Sequence, residues 1–149
     1  MMAVPIPDIC VKKTSVSRIK FEENRSRLIF INDGRRQYER VRIDGCVITS
    51  DEPRCDDLLR CRRDNDNNSP VILDYFIELK GSDVAHALEQ LIATIRRFYG
   101  KRHEGIDVQA FAICSAIPRE TTRVQRLKKQ FFSCAIPLHI EKSPYSHHL

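Results

Sequence analysis

Residues 71–80 read VILDYFIELK, and this stretch decides the predicted fold. Its first residues are apolar and aromatic, as in a mostly buried β-strand. Its end places Glu78 and Lys80 two positions apart, and both are predicted on one face because side chains alternate across a strand. A glycine ends the run, and Ser82 or Asp83 can cap a following helix. Buried charges are costly unless they form an ion pair or bind a metal, so this strand end indicates a site.

A second strand is predicted over residues 55–61, CDDLLRC, and the loop 62–70 between the two strands is rich in Asn and Asp. Such turn chemistry predicts an antiparallel hairpin. With the hairpin centred in that loop, Asp56 lies opposite Glu78. Two carboxylates would then converge beside Lys80, and a divalent cation would relieve their repulsion. A simple ion pair at a sheet edge is the alternative.

The whole composition is that of one globular domain spanning residues 1–149, with 42% hydrophobic and 30% charged residues. A formal net charge of +5 favours an anionic partner, nucleic acid being the commonest, although it can also serve solubility. No signal peptide is recognised at the start, and no apolar run is long enough to span a membrane. We therefore expect a cytoplasmic protein without a membrane partner.

Six cysteines are spread along the chain without a Cys-x2-Cys pair, which argues against a structural zinc site. For a cytoplasmic protein we expect reduced thiols. A zinc-stabilised interaction protein built on Cys46, Cys55 and Cys61 remains as an alternative.

The order of predicted elements gives the architecture. Residues 1–17 are predicted as an irregular arm, 18–142 as the core and 143–149 as a loose tail. In the core, a strand at 27–31 is followed by a hairpin turn signal, Asn-Asp-Gly at 32–34, and a return strand.

Helical periodicity predicts a long helix at 82–99 and a second helix ending near residue 134, with strands at 108–117 and 135–141. This order predicts one α/β sandwich around a mixed sheet. The second helix region carries basic residues that could bind a phosphate backbone, or could simply form a solvated face: Arg119, Arg123, Arg126, Lys128 and Lys129.

The acidic hairpin followed at once by a long helix resembles the PD-(D/E)XK nuclease superfamily, and in particular its small resolvase-like and exonuclease-like members. The resemblance covers about residues 27–140. Asp56 matches the first acidic position, and Glu78-x-Lys80 matches the second half of the motif. The resemblance implies a single-domain restriction-endonuclease-like sandwich, with a mixed central β-sheet flanked by helices.

The sequence departs from the family pattern at several positions. Cys55 stands where many members have proline, and the neighbouring Asp57 is a rival for the first acidic position. Asp44 is a more distant rival. Many members place a glutamate on an N-terminal helix, and Glu22 or Glu23 could correspond to it.

The implied activity is metal-dependent hydrolysis of phosphodiester bonds, most readily in DNA, in defence, repair or a mobile element. Asp56, Glu78 and the main-chain carbonyl of Leu79 would hold Mg²⁺ or Mn²⁺. Lys80 would orient the attacking water and offset negative charge. Gln90 resembles a glutamine that some exonuclease-like members use near the site.

The partners and the alternative function follow from the size of the domain. So small a domain has little surface for a duplex, so we expect a homodimer or a larger protein partner. The alternative is a catalytically inactive binding module of the same fold, acting as a subunit or regulator.

Overall fold

The computed structural model describes residues 4–23, 25–80, 82–116 and 119–149; the side chain of Lys80 also lies outside the description. A short 3-10 turn at Asp8–Cys10 precedes the first strand. The strands and helices are β1 (Val11–Thr14), β2 (Arg18–Glu23), β3 (Ser26–Ile31), β4 (Tyr38–Arg42), β5 (Asp57–Arg62), β6 (Val71–Lys80), α1 (Val84–Tyr99), β7 (Asp107–Cys114), α2 (Thr122–Ser133), β8 (Leu138–Lys142) and β9 (Tyr145–His148).

The larger sheet has the strand order β1-β4-β5-β6-β7-β8. Strands β4, β5 and β6 form an antiparallel meander, and β7 and β8 then add in parallel to β6. Because parallel neighbours need a crossover, α1 connects β6 to β7 and α2 connects β7 to β8. The predicted α/β class with a mixed sheet is confirmed.

The layers differ from the predicted arrangement of helices around the sheet. The helices α1 and α2 share one hydrophobic cluster with one face of the large sheet, which we call the helix face. A second sheet, ordered β2-β3-β9, packs its cluster on the opposite face, which we call the second-sheet face. On β6, Phe76 belongs to the helix face, whereas Ile77 and Leu79 belong to the second-sheet face.

The two chain ends are more regular than predicted. The arm at 1–17 contains β1, which forms an edge of the large sheet beside β4. The tail at 143–149 contains β9, which pairs in parallel with β3. Its alternate residues Tyr145 and His147 turn towards the aromatic cluster between the sheets, and this burial holds the strand in place.

The hairpin predicted at 32–34 is wrong, because β3 pairs with β2 and β9 while the following β4 lies in the other sheet. Asn32 is only 3% exposed and fixes this crossing between sheets. Its side-chain amide donates to the carbonyls of Val16 and Arg36 and accepts from the Arg36 amide. These tertiary bonds outweigh the local turn signal.

The predicted helix at 82–99 and the strand at 108–117 correspond to α1 and β7, although β7 ends at Cys114 and residues 117–118 lie outside the described part. Asp83 caps α1 by accepting from the His86 amide. No helix within the described ranges is both long and apolar enough to cross a membrane.

The cysteines do not form the set of free thiols that we expected. Cys10 and Cys46 form a disulfide that ties the turn before β1 to the loop after β4. Cys55 packs on the helix face and Cys61 on the second-sheet face. A zinc site built on Cys46, Cys55 and Cys61 is therefore excluded in this structure, because one thiol is oxidised and the other two lie on opposite sides of the sheet.

Candidate active site

The predicted hairpin is present, since β5 and β6 pair antiparallel with Asp57 opposite Ile77. The same register places Arg60 opposite Asp74 further along. Asp56 immediately precedes β5 and therefore lies at the end of the hairpin where Glu78 and Leu79 close β6.

The backbone of Asp56 is held by three hydrogen bonds. Its amide donates to the carbonyl of Ile77 (3.1 Å), and its carbonyl accepts from the amides of Ile43 (3.0 Å) and Asp44 (3.2 Å). Asp57 is the ladder partner of Ile77, yet the amide of Asp56 also donates to the Ile77 carbonyl, so the pairing is irregular just before β5 begins. Strict alternation from Leu58 therefore does not fix the direction of the Asp56 side chain.

The carboxylate of Asp56 is directed at the main chain of the predicted motif. Its Oδ2 accepts from the amide of Leu79 at 2.8 Å, and the residue is only 8% exposed. Burial raises the pKa of Asp56, and the carboxylates of Glu23 and Asp44 raise it further, whereas the Leu79 hydrogen bond and Arg42 lower it. The pKa of Asp56 is therefore raised mainly because the carboxyl group is buried.

Glu78 lies on the helix face, because its neighbours Ile77 and Leu79 both pack on the second-sheet face. It is only 2% exposed. Burial and then the Glu78 carboxylate raise the pKa of the Cys55 thiol, which belongs to the helix-face cluster. Lys80 is the last residue of β6, and its predicted catalytic side chain lies outside the described part.

The guanidinium of Arg42 pairs with two carboxylates on the second-sheet face. It contacts Glu23 at 3.3 Å and Asp57 at 3.3 Å. Glu23 and Glu22 end a strand, β2, and not the helix expected from the resemblance. Glu23 nevertheless reaches the site, whereas Glu22 forms an exposed ion pair with Arg27.

The other rivals for the first acidic position are engaged in ion pairs. Burial raises the pKa of Asp57 to about 6, with Asp56 adding to the rise and Arg42 opposing it. Asp44 contacts Arg54 at 2.7 Å, yet its backbone is bonded to Asp56. The fold thus brings Asp44 next to Asp56, although Asp44 lies further from Glu78 in the sequence than Asp56 does.

Helix α1 contacts the acidic end of the hairpin through Thr94. The Thr94 hydroxyl accepts from the amide of Cys55 (2.8 Å) and donates to the carbonyl of Gln90 (2.8 Å). The side-chain Oε1 of Gln90 is buried and accepts no hydrogen bond within the described residues. Gln90 therefore brings an unused oxygen acceptor to the helix side of the hairpin.

The predicted metal ligands fit a hard cation by their chemistry. Asp56, Glu78 and the carbonyl of Leu79 offer only oxygen donors. No group of three or more His, Cys, Asp or Glu side chains able to hold a metal occurs in the part of the chain that the structure describes. Any cation site there would depend on main-chain, amide or water oxygens besides the two carboxylates.

The basic residues predicted to bind nucleic acid are exposed but not equivalent. Arg119 precedes α2 and does not lie on it, which corrects its predicted position. Arg123 forms an ion pair with Glu89, and Lys128 forms one with Glu120. Arg126 and Lys129, also exposed, have no ion pair among the described residues.

A small cleft of about 170 Å³ lies where the N-termini of α1 and α2 meet, and Arg119, Ser82 and Thr121 are among its lining residues. Helix N-termini present unpaired amide donors and a partial positive charge. The cleft lies just beyond the end of β6, and both Arg119 and the carboxylate of Asp83 line it.

Sequence reasoning missed a buried polar network at the middle of the hairpin. Asp74 is fully buried and accepts two hydrogen bonds of 2.8 Å from Arg60, and the hydroxyl of Tyr99 also donates to it. The hairpin register implied the pairing of Arg60 with Asp74, so the sequence contained this signal.

Comparisons with protein families, with curated proteins and with solved structures gave no match to this chain.

Proposed function

We propose that the chain is a metal-dependent nuclease of the PD-(D/E)XK type that hydrolyses phosphodiester bonds, with DNA as the favoured substrate. The observation that carries the proposal is the 2.8 Å hydrogen bond from the amide of Leu79 to Asp56 Oδ2. It joins the first acidic position of the motif to the Glu78-Leu79-Lys80 segment.

The topology gives further support. The antiparallel strands β5 and β6 deliver the two halves of the motif, and α1 and the parallel strand β7 follow at once. That is the order of elements on which the resemblance was based. The restriction-endonuclease-like sandwich remains a proposal, since the second-sheet face carries strands β2, β3 and β9 where the resemblance implied a helix.

In the proposed mechanism Asp56, Glu78 and the Leu79 carbonyl would hold Mg²⁺ or Mn²⁺. When bound, that ion would supply an acidified water and neutralise charge on the phosphate. Lys80 would orient the attacking water and offset the charge that develops on the phosphoryl oxygens.

The proposed substrate contact continues from the motif to α2. The cleft lined by Arg119 and the exposed Arg126 and Lys129 offer positive charge beyond the end of β6. These contacts read phosphates and carry no base specificity by themselves. A cytoplasmic role in defence, repair or a mobile element belongs to the same proposal, although the Cys10–Cys46 disulfide is unusual for that compartment.

The second candidate function is a catalytically inactive binding module of this fold. It is favoured by the ion pairs that occupy two neighbouring acids, Asp57 with Arg42 and Asp44 with Arg54. The absence of a three-residue metal cluster among the described residues points the same way.

The test is cleavage of single- and double-stranded DNA and of RNA with Mn²⁺ or Mg²⁺, stopped by chelation. Asp56→Asn should lower cleavage by about a hundredfold or more, because it removes a ligand charge, while its amide oxygen can still accept from Leu79. Lys80→Ala should abolish cleavage and leave cation binding, measured by calorimetry, largely intact.

Glu22→Gln is the matched control, since Glu22 is an exposed carboxylate that pairs with Arg27 away from the motif. It should cut at the wild-type rate, which separates the effect of the site from a contaminating nuclease. Equal cutting by the wild type and Lys80→Ala, or no cutting of any substrate with any divalent ion, would favour the binding module.

A further inference from the structure

Strand β8 ends the large sheet, and within the described ranges no strand pairs with its outer edge. The carbonyl of Pro137 accepts from Ala110, and the amide of Ser143 donates to Cys114. Since backbone groups alternate in direction along a strand, odd-numbered residues bond to β7. The amides and carbonyls of Leu138, Ile140 and Lys142 therefore point outwards.

An apolar groove adjoins this edge on the helix face. It has a volume of about 540 Å³, and Leu138, Ile140, Phe131 and Phe132 are among its lining residues. Phe132 is 87% exposed, which is unusual for so large an apolar side chain. An open strand edge beside an apolar groove is a surface for adding another strand.

From the sequence of the strand, we infer that the partner is a second copy of this chain, with β8 pairing antiparallel to β8 of the other copy about a twofold axis at Ile140. This register pairs Ile140 with itself and Leu138 with Lys142 of the copy. All three outward residues of each strand then exchange backbone bonds, which gives six inter-chain hydrogen bonds. The two large sheets become one continuous sheet.

The avoidance of like-charge pairs selects this register. It places His139 opposite Glu141 of the copy on the second-sheet face, in a closely spaced pair. Shifting the axis to Glu141 would place two glutamates opposite each other. Shifting it to His139 would need the amide of Ile136, which already donates to Phe131.

The other edge of the large sheet is poorly suited to the same role. Strand β1 is short, and it carries Lys12 and Lys13, both exposed. Antiparallel pairing of two β1 strands would bring these like charges together, and edge lysines commonly prevent such pairing. The dimer does not depend on the metal chemistry, so its test can fail without affecting the proposed nuclease activity, and the reverse also holds.

The test begins with light scattering on the full chain, which should give about twice the 17.3 kDa mass of the monomer. Ile140→Asp should weaken dimerisation by at least about tenfold, because it places two carboxylates opposite each other at the axis. Circular dichroism checks that this edge variant is folded.

Cross-linking tests the register without disturbing the fold. In Ile140→Cys the two new thiols would have Cα atoms about 5.5 Å apart, within the range for a disulfide, so oxidation should yield a covalent dimer. In the control Leu138→Cys the two introduced cysteines would lie four positions apart, about 13 Å along the strands, and should not form a disulfide. Wild type under the same oxidant controls for Cys134.

A strictly monomeric wild type at the highest concentration reached would overturn the proposal. So would a dimer whose mass is unchanged in folded Ile140→Asp, or equal cross-linking at positions 138 and 140.

Discussion

The buried carboxyl of Asp57 should make the protein less stable as the pH rises from about 4 to 6. Burial raises its pKa in the folded state to about 6, against an ordinary value of 3.8. Its side chain is only 14% exposed, so solvent screening is limited. The folded protein therefore keeps this proton at pH values where the unfolded chain has lost it.

The size of the effect follows from the difference between the two pKa values, about 2.2 (6 minus 3.8). One pKa unit corresponds to about 1.36 kcal/mol, so the contribution is about 3 kcal/mol. Where the folded state binds more protons than the unfolded state, stability falls as pH rises. The favourable contribution is complete below pH 3.8 and is lost as the pH passes through about 6.

The assay is urea unfolding of the wild type and of Asp57→Asn at a series of pH values from 3.5 to 7.5, a range chosen to bracket both pKa values. Asparagine resembles the protonated acid and can still accept from Arg42. The free energy of unfolding of the wild type minus that of the variant should fall by about 3 kcal/mol across the series. A flat difference, or one that rises with pH, would refute the assignment of a raised pKa to Asp57.

Two further predictions concern stability. Asp74→Ala should cost about 3–5 kcal/mol, because it leaves Arg60, whose side chain is 12% exposed, without its carboxylate. The double variant Arg60→Met/Asp74→Leu should cost less than Asp74→Ala in urea unfolding, and a larger cost would contradict the reasoning. Cys10→Ser should lower the free energy of unfolding under oxidising conditions by about 4 kcal/mol in the chain-entropy description, because the Cys10–Cys46 bridge closes 36 positions of chain. An equal melting temperature with and without reductant would contradict a disulfide in solution.

The sequence predicted the hairpin and its register because the determinants are local. An apolar run, a loop rich in Asn and Asp, and a second apolar run are contiguous, and they fix which residues face each other. The same register also implies the Arg60–Asp74 pair. Helix α1 was predictable for the same reason, since its periodic apolar residues and its Asp83 cap lie within one segment.

The second sheet could not be assembled from the sequence because its strands come from distant segments. In β2, buried Ile19 and Phe21 alternate with exposed residues, a period-two pattern that was present in the sequence. Its neighbour β3 pairs on the other side with β9, more than a hundred residues later, and no local signal specifies that partner. The turn signal at 32–34 does not produce a hairpin, because the buried side-chain amide of Asn32 binds the carbonyls of Val16 and Arg36 instead.

The candidate site depends most on a detail that sequence patterns cannot supply, the irregular pairing of Asp56 just before β5. Strict alternation would put Asp56 on the helix face with Leu58 and Glu78. In the structure the Asp56 carboxylate instead accepts from the amide of Leu79, with Glu23 and Asp44 among its charged neighbours. A cation shared by Asp56 and Glu78 would therefore have to bind at this end of the hairpin, close to the main chain of Leu79. For this reason the Asp56→Asn variant, which keeps the oxygen that binds Leu79 and removes only the charge, tests the site more directly than deletion of the side chain.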